Sequence, residues 1–370
     1  MTFLEIHHLT KTYGQNAVLR DITLSVAEGE FFVLLGPSGG GKSTLLRVLC
    51  GIEKADAGHI ILNGRDITNL TPRERNIGMV FQDYGLYPHM NAWENIAYGL
   101  EARGMPKNMI DQRIKIAAEK LGITPLLQRV VVDLSGGEQQ RVALARALAK
   151  DADLYLFDEP LSNLDPKLRV QARRDILMVH REKRKPSLYV THDQTEALAS
   201  GDRIAIIAHG HLQQIGAARD LIQHPANTFV AGFIGAPSMN LVLSTLTFDS
   251  VHDVYAARFG QNAALSLPAR WNAVLRAHNK DKVVLGIPPT AFTLMNSASA
   301  GDTLLEAEIE NEDALVGEVI VVFKLAAGPS FAALFQILDD TTFAIGDRIH
   351  LQVDTEQLCL FDPDTEQALS

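Results

Sequence analysis

The fold of this chain is decided by eight consecutive residues, Gly36-Pro37-Ser38-Gly39-Gly40-Gly41-Lys42-Ser43, which fit the pattern G-x-x-x-x-G-K-[ST] at every fixed position. The apolar run Phe31–Leu35 before them predicts a strand, and the stretch that begins with Thr44 predicts a helix after them. A phosphate-binding loop needs this strand–loop–helix context. The alternative, a glycine-rich turn that happens to contain Lys-Ser, leaves both flanks unexplained.

The residue types in this loop suit a nucleoside triphosphate. Glycines let the backbone curl until several amide N–H groups converge on one point, and such a nest binds anions. The helix that follows adds the positive end of its dipole. Lys42 can then reach the β- and γ-phosphates, and the Ser43 hydroxyl can ligate Mg²⁺. The loop therefore predicts that the chain binds a nucleoside triphosphate.

Length and composition bound the remaining possibilities. The chain has 370 residues, of which 46% are hydrophobic and 21% charged, so it is long enough for two soluble globular domains. A net charge of −10 disfavours a nucleic-acid partner held by bulk electrostatics. The two cysteines, Cys50 and Cys359, lie far apart in the sequence and suggest a reducing compartment.

The sequence predicts neither a targeting segment nor a membrane span. Residues 1–9 include Glu5, His7 and His8, and they lack the basic start and apolar core of a signal peptide. No window reaches about 18 uninterrupted apolar residues, the length that a membrane-spanning helix needs. We therefore expect another chain to cross the membrane if the protein works at one.

Strand and helix patterns are mixed in the first part of the chain. Alternating apolar and polar residues up to about residue 30 predict antiparallel strands, and residues 60–62 followed by Asn63-Gly64 predict a hairpin. Residues 91–150 change to helical periodicity. Beyond them, three apolar runs predict buried strands and a basic stretch predicts a helix; these are residues 154–157, 187–190 and 204–208, and residues 167–185.

The sequence pattern changes after residue 227. Residues 227–237 are glycine-rich and irregular, which predicts a linker. Short β-type runs such as Val283–Ile287 and Val319–Phe323 follow, separated by turn residues, and they predict a small β-barrel-like domain. We therefore expect domains at 1–235 and 236–370.

Two carboxylates stand at the end of a predicted strand. Residues 154–157 lead directly into Asp158 and Glu159. Beside a phosphate loop, Asp158 can hold the Mg²⁺ shell, and Glu159 can orient or deprotonate the attacking water. A strand followed by an acidic loop is common alone, and the phosphate loop upstream is what favours a catalytic pair.

The stretch Leu134-Ser135-Gly136-Gly137-Glu138 begins another predicted helix. Ser135 and Glu138 fit the S-x-x-E capping box, so a well-capped helix is the simplest interpretation. Gly136 and Gly137 also leave the first turn bare, so that its unpaired N–H groups can approach an external anion. The two roles are compatible if the Ser135 oxygen accepts from the backbone while its hydroxyl hydrogen points at a phosphate.

Together these motifs resemble those of the ABC transporter ATPases. Six motifs agree in order and spacing: the phosphate loop, Gln82, LSGGEQQR at 134–141, Asp158-Glu159, the Ser-Asn-Leu-Asp stretch at 162–165, and His192. The resemblance covers residues 1 to about 235. It implies an α/β P-loop NTPase with a mixed sheet core and antiparallel β and helical subdomains, which hydrolyses ATP with Mg²⁺.

The resemblance implies a role for each motif residue. The ATPase would form a head-to-tail dimer with two ATP molecules at the interface. Each ATP would be bound by the phosphate loop of one subunit and by residues 135–137 of the other. Tyr13 would stack on adenine, and Gln82 would sense the Mg²⁺ and γ-phosphate site and couple it to the membrane subunits. Asp165 would bridge the dimer, and His192 would contact the γ-phosphate. Singly these residues are weak signals, since an isolated tyrosine or histidine more often packs or lies on the surface.

Partners and location follow from the same resemblance. It implies two membrane-spanning permease subunits, a solute-binding protein outside the cytoplasm, and a peripheral position on the cytoplasmic face of the membrane. Residues 81–90, which include Tyr84, Leu86, Tyr87 and Pro88, would form part of a groove for a short permease helix. Ordinary core packing is the alternative for about half of the apolar residues there.

The C-terminal part of the sequence indicates which group of ABC transporter ATPases the chain resembles most. Residues 227–240 and 360–365 look like those of carbohydrate importer ATPases of the maltose and glycerol-phosphate type, which carry a C-terminal regulatory domain of OB-like β structure. The sequence departs from that group at Pro288, where arginine is usual, and at Glu138, where many importers have glutamine. We expect little effect from Glu138, because it completes the capping box.

Several alternatives remain open. The most serious is an importer ATPase of the same kind with a polyamine, sulfate or iron cargo. A non-transport ABC ATPase is disfavoured for two reasons. DNA-repair members carry a long coiled-coil insertion between the phosphate loop and the LSGGE motif, and this chain has no such insertion between residues 43 and 134. Translation members usually carry two cassettes, and this chain has one. A non-catalytic binding subunit is disfavoured by the presence of Glu159 and His192, and an exporter has no evident need of the C-terminal β domain.

Overall fold

The computed structural model describes residues 2–260, 263–295, 304–315, 317–325, 328–336 and 343–369. The chain divides into two compact units, Met1–Ala218 and Arg219–Ser370. The predicted domains at 1–235 and 236–370 remain a prediction, because a division by compactness does not test where an independently folding domain ends. In the described ranges, no helix combines the length and the apolar character required to cross a membrane.

The first unit alternates strands and helices. Its elements, in chain order, are β1 (Thr2–Tyr13), β2 (Asn16–Ala27), β3 (Phe31–Leu35), α1 (Lys42–Cys50), β4 (Ala57–Leu62), β5 (Arg65–Asp66), β6 (Ile77–Val80), α2 (Ala92–Glu101), α3 (Lys107–Lys120), α4 (Gly136–Ala149), β7 (Leu154–Asp158), α5 (Pro166–Lys183), β8 (Ser187–Thr191), α6 (Gln194–Ser200), β9 (Arg203–Ala208) and β10 (His211–Gly216).

Two sheets organise residues 2–218. One is antiparallel, with the strand order β2-β1-β4-β5, and the other has the order β10-β9-β3-β8-β7-β6. In the second sheet the strands from β9 to β6 run parallel, and β10 is antiparallel to β9. A mixed sheet beside an antiparallel one confirms the predicted α/β class with its antiparallel β subdomain.

The centre of the mixed sheet is apolar on both faces. Every residue of β3, β7 and β8 is buried, as expected for parallel strands that are covered on both sides. Leu34 and Leu156 of these strands pack in one cluster with Leu46 and Leu49 of α1. The helix after the phosphate loop is thereby held against the sheet, which fixes the position of the loop.

The predicted helical region, residues 91–150, forms α2, α3 and α4. Asn91 and Glu94 make a capping box at the start of α2, with Glu94 N donating to Asn91 Oδ1 over 2.8 Å. The start of α4 has its own capping box at Ser135. Helix α4 packs against α2, α3 and α5, and this confirms the helical subdomain.

The second unit is mainly antiparallel β structure. The elements from its beginning are α7 (Ala218–Gln223), α8 (Thr228–Phe233), β11 (Asn240–Asp249), β12 (Val254–Phe259), β13 (Ala263–Ser266), α9 (Asn272–His278), β14 (Lys282–Ile287), β15 (Phe292–Met295), β16 (Leu304–Ala314), β17 (Glu318–Leu325), β18 (Ser330–Gln336), β19 (Arg348–Val353) and β20 (Cys359–Phe361).

Over the described part of this unit, the strands form sheets of order β13-β12-β11-β14-β20 and β15-β19-β16-β17-β18. Their inward residues share one core, in which the Phe323 ring lies 5.1 Å from that of Phe292 and 5.9 Å from that of Phe331. The predicted runs at 283–287 and 319–323 lie in β14 and β17. A β-rich second unit of this kind is consistent with the predicted OB-like domain.

The irregular linker predicted at residues 227–237 is wrong in part, because α8 occupies most of it. Asn227 caps this helix, its Oδ1 accepting from Val230 N over 2.9 Å. Val230 and Ala231 are buried. Gly232 made a helix look unfavourable in the sequence. The Asn227 cap and the buried face are nevertheless sufficient to stabilise a short helix.

Candidate functional site

Four parallel strands bring the predicted site residues to one edge of the mixed sheet. The phosphate loop follows β3, Gln82 follows β6, Asp158 ends β7 with Glu159 next to it, and His192 follows β8. These strands lie side by side in the order β3-β8-β7-β6. Because the carboxyl ends of parallel strands meet at one edge, residues far apart in the sequence converge there.

The path of the phosphate loop depends on close backbone approaches at two glycines. A Cβ atom at Gly36 would lie 2.0 Å from the Ile207 carbonyl oxygen. Gly41 has a φ of +104°, and a Cβ there would lie 2.7 Å from the Val18 carbonyl oxygen. Only glycine fits these positions. Ser38 and Gly39 are exposed at the tip of the loop, Gly40 is buried, and Thr44 lies in the first turn of α1.

Lys42 is folded into the loop that carries it. Its Nζ donates to the carbonyl oxygens of Gly36 at 2.8 Å and Pro37 at 2.9 Å, and the residue is only 3% exposed. Burial lowers the pKa of Lys42, and the charges of Glu159 and Asp158 oppose that shift. The loop therefore holds a cationic side chain at the place where phosphate charge would have to be balanced.

Ser43 and Asp158 present neighbouring oxygen atoms beside the loop. The Ser43 hydroxyl donates to Asp158 Oδ1 over 2.8 Å, which joins α1 to the end of β7. Asp158 is 5% exposed, and burial raises its pKa, while the hydrogen bond from Ser43 works against that shift. Hard oxygen donors of this kind suit Mg²⁺, which commonly takes one or two carboxylates and completes its shell with phosphate oxygens and water.

Glu159 has a strained backbone at the end of β7. Its φ of +43° is uncommon for a residue other than glycine, and such strain costs on the order of 1–3 kcal/mol and concentrates at functional sites. Glu159 N donates to the Val190 carbonyl over 3.1 Å, and Ser162 Oγ donates to the Glu159 carbonyl over 2.9 Å. These bonds fix the turn and direct the carboxylate toward His192, whose Nδ1 lies 3.0 Å from Glu159 Oε2.

A hydrogen-bond network supports the turn that carries His192. Glu196 Oε2 accepts from Tyr189 Oη and from Thr191 Oγ1, each over 2.8 Å. Thr191 Oγ1 in turn accepts from Asp193 N over 2.9 Å. Burial raises the pKa of the Tyr189 hydroxyl well above its usual value, so this group remains a donor. Sequence reasoning missed Thr191 and Glu196, for which nearness to His192 was the only available signal.

Gln82 lies exposed after β6, and the segment that it begins is hydrogen-bonded to Asn163 and to Arg146. Asn163 Nδ2 donates to the Gln82 carbonyl over 2.9 Å. Arg146 of α4 donates to the carbonyls of Tyr84 at 2.8 Å and Gly85 at 2.6 Å. Sequence reasoning gave Asn163 and Arg146 no separate role, because partners so distant in the chain leave no local pattern.

Ser135 differs from its expected geometry. Its hydroxyl donates to Glu138 Oε2 over 2.8 Å, and its backbone N–H donates to the same oxygen over 2.8 Å. The capping box is therefore confirmed, but the expectation that the hydroxyl hydrogen points outward is wrong in this structure, because the carboxylate is the stronger nearby acceptor. Gly136 is exposed and Gly137 is buried.

Asp165 is an exposed cap at the start of α5. Its Oδ1 accepts from Lys167 N over 3.1 Å and from Leu168 N over 3.0 Å. The bonds of Ser135 and Asp165 are thus local within this chain, and their expected contacts across a dimer remain predictions. Tyr13, at the end of β1, is 43% exposed, with Lys11 Nζ 5.1 Å from its ring centroid.

A cleft of about 440 Å³ lies beside the Gln82 segment. Its lining includes Met79, Phe81, Tyr87, Tyr98 and Lys150. Within residues 81–90, Tyr84 is buried and so belongs to the packing that was expected for about half of the apolar residues there, whereas Tyr87 and Pro88 are exposed. Of these two exposed residues, Tyr87 belongs to the lining of the cleft, which is mainly apolar.

Comparison with known proteins gives a consistent result. The ABC transporter family is matched over residues 19–162. The chain is 41% identical to the sn-glycerol-3-phosphate import ATP-binding protein UgpC of Escherichia coli (strain K12), with 99% of each chain covered. It is 38% identical to the uncharacterized ABC transporter ATP-binding protein YurJ of Bacillus subtilis (strain 168), with 100% of each chain covered.

Solved structures resemble the first part of the chain. An ATP-binding cassette of an ABC transporter in its ADP conformation matches with a TM-score of 0.55 and 26% identity, covering 61% of this chain and 96% of its own. A dimeric, post-hydrolysis cassette bound to ADP and Pi matches with a TM-score of 0.53 and 30% identity, covering 58% of this chain and 99% of its own.

Proposed function

The chain belongs to the ATP-binding proteins of ABC transporters, and we propose that it energises the import of a glycerol phosphate or a carbohydrate through separate membrane subunits. The chain is an ATPase coupled to transport. The observation that carries the proposed cargo is that 41% identity to a glycerol-phosphate import protein extends over 99% of this chain, including the second unit. Similarity confined to the nucleotide-binding part would not distinguish an importer of this group from other members.

The phosphate groups of ATP would bind in the loop at residues 36–43. Loop amides and the start of α1 would receive the phosphate oxygens. Lys42 Nζ, which donates to the Gly36 and Pro37 carbonyls, would exchange these bonds for bonds to the β- and γ-phosphates. This exchange favours binding because a charge-assisted bond to phosphate replaces a bond to a neutral carbonyl.

Mg²⁺ would be held by Ser43 and by Asp158, directly or through water, with Gln82 completing the protein side of the site. The oxygen donors of Ser43 and Asp158 already lie within 2.8 Å of each other, which supports this assignment. When bound, Mg²⁺ neutralises charge that develops on the transferred phosphoryl group.

Glu159 would orient the attacking water or accept its proton, and His192 would hold both the Glu159 carboxylate and the γ-phosphate. The 3.0 Å separation of Glu159 Oε2 and His192 Nδ1 supports this pairing. Glu159 is only 15% exposed in its side chain, so the carboxylate is partly shielded from competing solvent. A base positioned in this way requires little rearrangement when the water binds.

Two copies of the chain would close head to tail over two ATP molecules. Ser135, Gly136 and Gly137 of one copy would meet the γ-phosphate held by the other, and Asp165 would bridge the interface. The bare first turn of α4 supports this role, because its N–H groups attract an anion. Tyr13 would stack on the adenine. The drive for closure is the higher affinity of the closed state for ATP.

The permease subunits would dock in the cleft beside Gln82. Its apolar wall suits a short helix, and Arg146 and Asn163 connect the Gln82 segment to α4 and to the turn after Glu159. The ATPase would then lie on the cytoplasmic face of the membrane, with two permease subunits as direct partners and a solute-binding protein acting through them. ATP-dependent closure would pull on the permease and turn it outward.

The test is ATP hydrolysis by the chain reconstituted in liposomes with its co-purified membrane subunits and binding protein. A panel of sugars, glycerol phosphates, polyamines and oxyanions would be added in turn. We expect stimulation by one glycerol phosphate or carbohydrate. Stimulation only by a polyamine, by sulfate or by an iron complex would overturn the proposed cargo and leave the ATPase mechanism in place.

A further inference from the structure

Lys11 lies against the ring of Tyr13 on the same face of β1. The two residues are two positions apart, so their side chains point to the same side of the strand. Lys11 Nζ is 5.1 Å from the centroid of the Tyr13 ring. This distance lies within the range of about 6 Å in which an ammonium group is attracted to an aromatic face.

Two carboxylates hold the ammonium group of Lys11 in place. Its Nζ lies 3.5 Å from Asp56 Oδ1 and 3.9 Å from Glu53 Oε2, and the Lys11 side chain is only 12% exposed. Asp56 Oδ2 also accepts from Thr12 N over 2.6 Å. A lysine on a surface strand is usually mobile, whereas this one is fixed by three contacts and in turn fixes the ring beside it.

The Tyr13 ring is held in place yet remains accessible. It is 43% exposed although Lys11 covers part of it. A ring that is already oriented loses less conformational freedom when a ligand stacks on it, and this raises the affinity of the ligand. Free rotation of the ring would be expected for an exposed tyrosine without such a contact.

We propose that Lys11 is a positioning residue for the nucleobase: the Lys11–Asp56 pair holds the Tyr13 ring ready to receive a base on its free side. The inference rests on the proposed stacking role of Tyr13 and adds a residue and a physical cause to it. If Lys11 served only to join β1 to the chain around residue 56, its loss would change stability without a specific effect on base recognition.

The experiment compares ADP with pyrophosphate as ligands of the full-length chain by calorimetric titration. For Lys11→Met, which keeps an apolar stem and removes the charge, we expect ADP affinity to fall about threefold to tenfold. Pyrophosphate affinity should stay within about twofold, because the phosphate loop is untouched. Lys11→Arg, which retains a cation for the ring, should keep ADP affinity within about twofold of the wild type.

A double-mutant cycle separates this inference from the function on which it rests. In a Tyr13→Leu background, Lys11→Met should cause no further loss of ADP affinity, since the ring it positions is gone. An equal loss of pyrophosphate affinity, an unchanged ADP affinity in Lys11→Met, or the same loss in both backgrounds would overturn the role of Lys11. If Tyr13→Leu alone left ADP affinity unchanged, the stacking role of Tyr13 would fail together with the inference, while the ATPase assignment would stand.

Discussion

His192 Nδ1 lies 3.0 Å from Glu159 Oε2, and this contact joins the ends of two neighbouring strands, β7 and β8. The Glu159 side chain is 15% exposed and that of His192 is 52% exposed, so the histidine covers the carboxylate and remains open to a ligand. The strained backbone of Glu159 is kept in place by the bonds of its N–H and carbonyl groups. The carboxylate is thereby aimed before any nucleotide binds.

Replacing Glu159 by glutamine should nearly abolish hydrolysis. Glu159→Gln keeps the size of the side chain and removes the proposed base, so we expect kcat to fall about 10²- to 10⁴-fold while ATP still binds and promotes dimer formation. Phosphate release and size-exclusion chromatography with ATP measure the two effects. Glu119→Gln, at an exposed position of α3, is the matched control. Normal turnover in Glu159→Gln would contradict the assignment of the base.

Ser43→Ala should raise the Mg²⁺ requirement. The change removes a proposed ligand and the 2.8 Å hydrogen bond to Asp158. We expect the Mg²⁺ concentration for half-maximal hydrolysis to rise about tenfold or more, with kcat partly recovered at high Mg²⁺. ATP binding in EDTA should be nearly unchanged. Loss of ATP binding in EDTA to the same extent would mean that Ser43 acts on the loop itself and not on the metal.

Two substitutions of Glu138 should differ in their effects, because only one of them keeps the capping box at α4. Glutamine retains a side-chain oxygen for Ser135 N and Oγ, so Glu138→Gln should keep ATP hydrolysis within about twofold. Glu138→Ala removes the acceptor, which should cost about 1 kcal/mol of stability and lower hydrolysis by loosening the Ser135 turn. Urea unfolding and phosphate release measure both. Equal behaviour of the two variants would show that the box does not position Ser135.

Lys150 should make stability depend on pH in the alkaline range. Its Nζ donates to the Ile77 carbonyl, and burial, followed by the charge of Arg103, lowers its pKa to about 8. Between pH 8 and the ordinary value of 10.5, the unfolded chain therefore binds more protons at this site than the folded chain. The contribution of Lys150 to the free energy of unfolding should therefore increase as pH rises from about 8 to 10.5, and it should be constant below about 8.

The Lys150→Met variant isolates this effect. It cannot titrate, so the stability of the wild type relative to the variant should increase by about 1–3 kcal/mol between pH 8 and 10.5. Urea unfolding at several pH values measures the difference. Lys115→Met, at an exposed position of α3, should show no such trend. A difference between wild type and Lys150→Met that is constant with pH would show that Lys150 is not perturbed by burial.

Much of the fold was predictable because the signals are local. Strand β3 has the predicted bounds, and β7 and β8 each extend one residue beyond their predicted runs. Continuous apolar runs report burial on both faces of a sheet, and this burial depends on residue type more than on exact partners. The helix α8 was missed because its signals are only the Asn227 cap and two buried residues, Val230 and Ala231. These signals are weaker in the sequence than the nearby glycines, which indicate irregular structure.

The positions of the site residues were predictable from the sequence, and the hydrogen bonds that connect them were not. Asp158, Glu159 and His192 follow apolar strands, which the sequence reveals. The contacts of Arg146 with Tyr84 and Gly85 depend on how α4 packs, and no local pattern records that packing. The Ser135 hydroxyl was misjudged because its hydrogen can be shared with several acceptors, and only the geometry shows that Glu138 receives it.

Solute uptake tests the importer function most directly, in liposomes that contain the chain, its permease subunits and its binding protein, with ATP supplied on the side of the ATPase. We expect uptake of labelled glycerol phosphate or carbohydrate that requires hydrolysable ATP and disappears with Glu159→Gln. Hydrolysis of ATP at a rate independent of every solute, with no solute moved, would contradict the assignment of this chain to an importer.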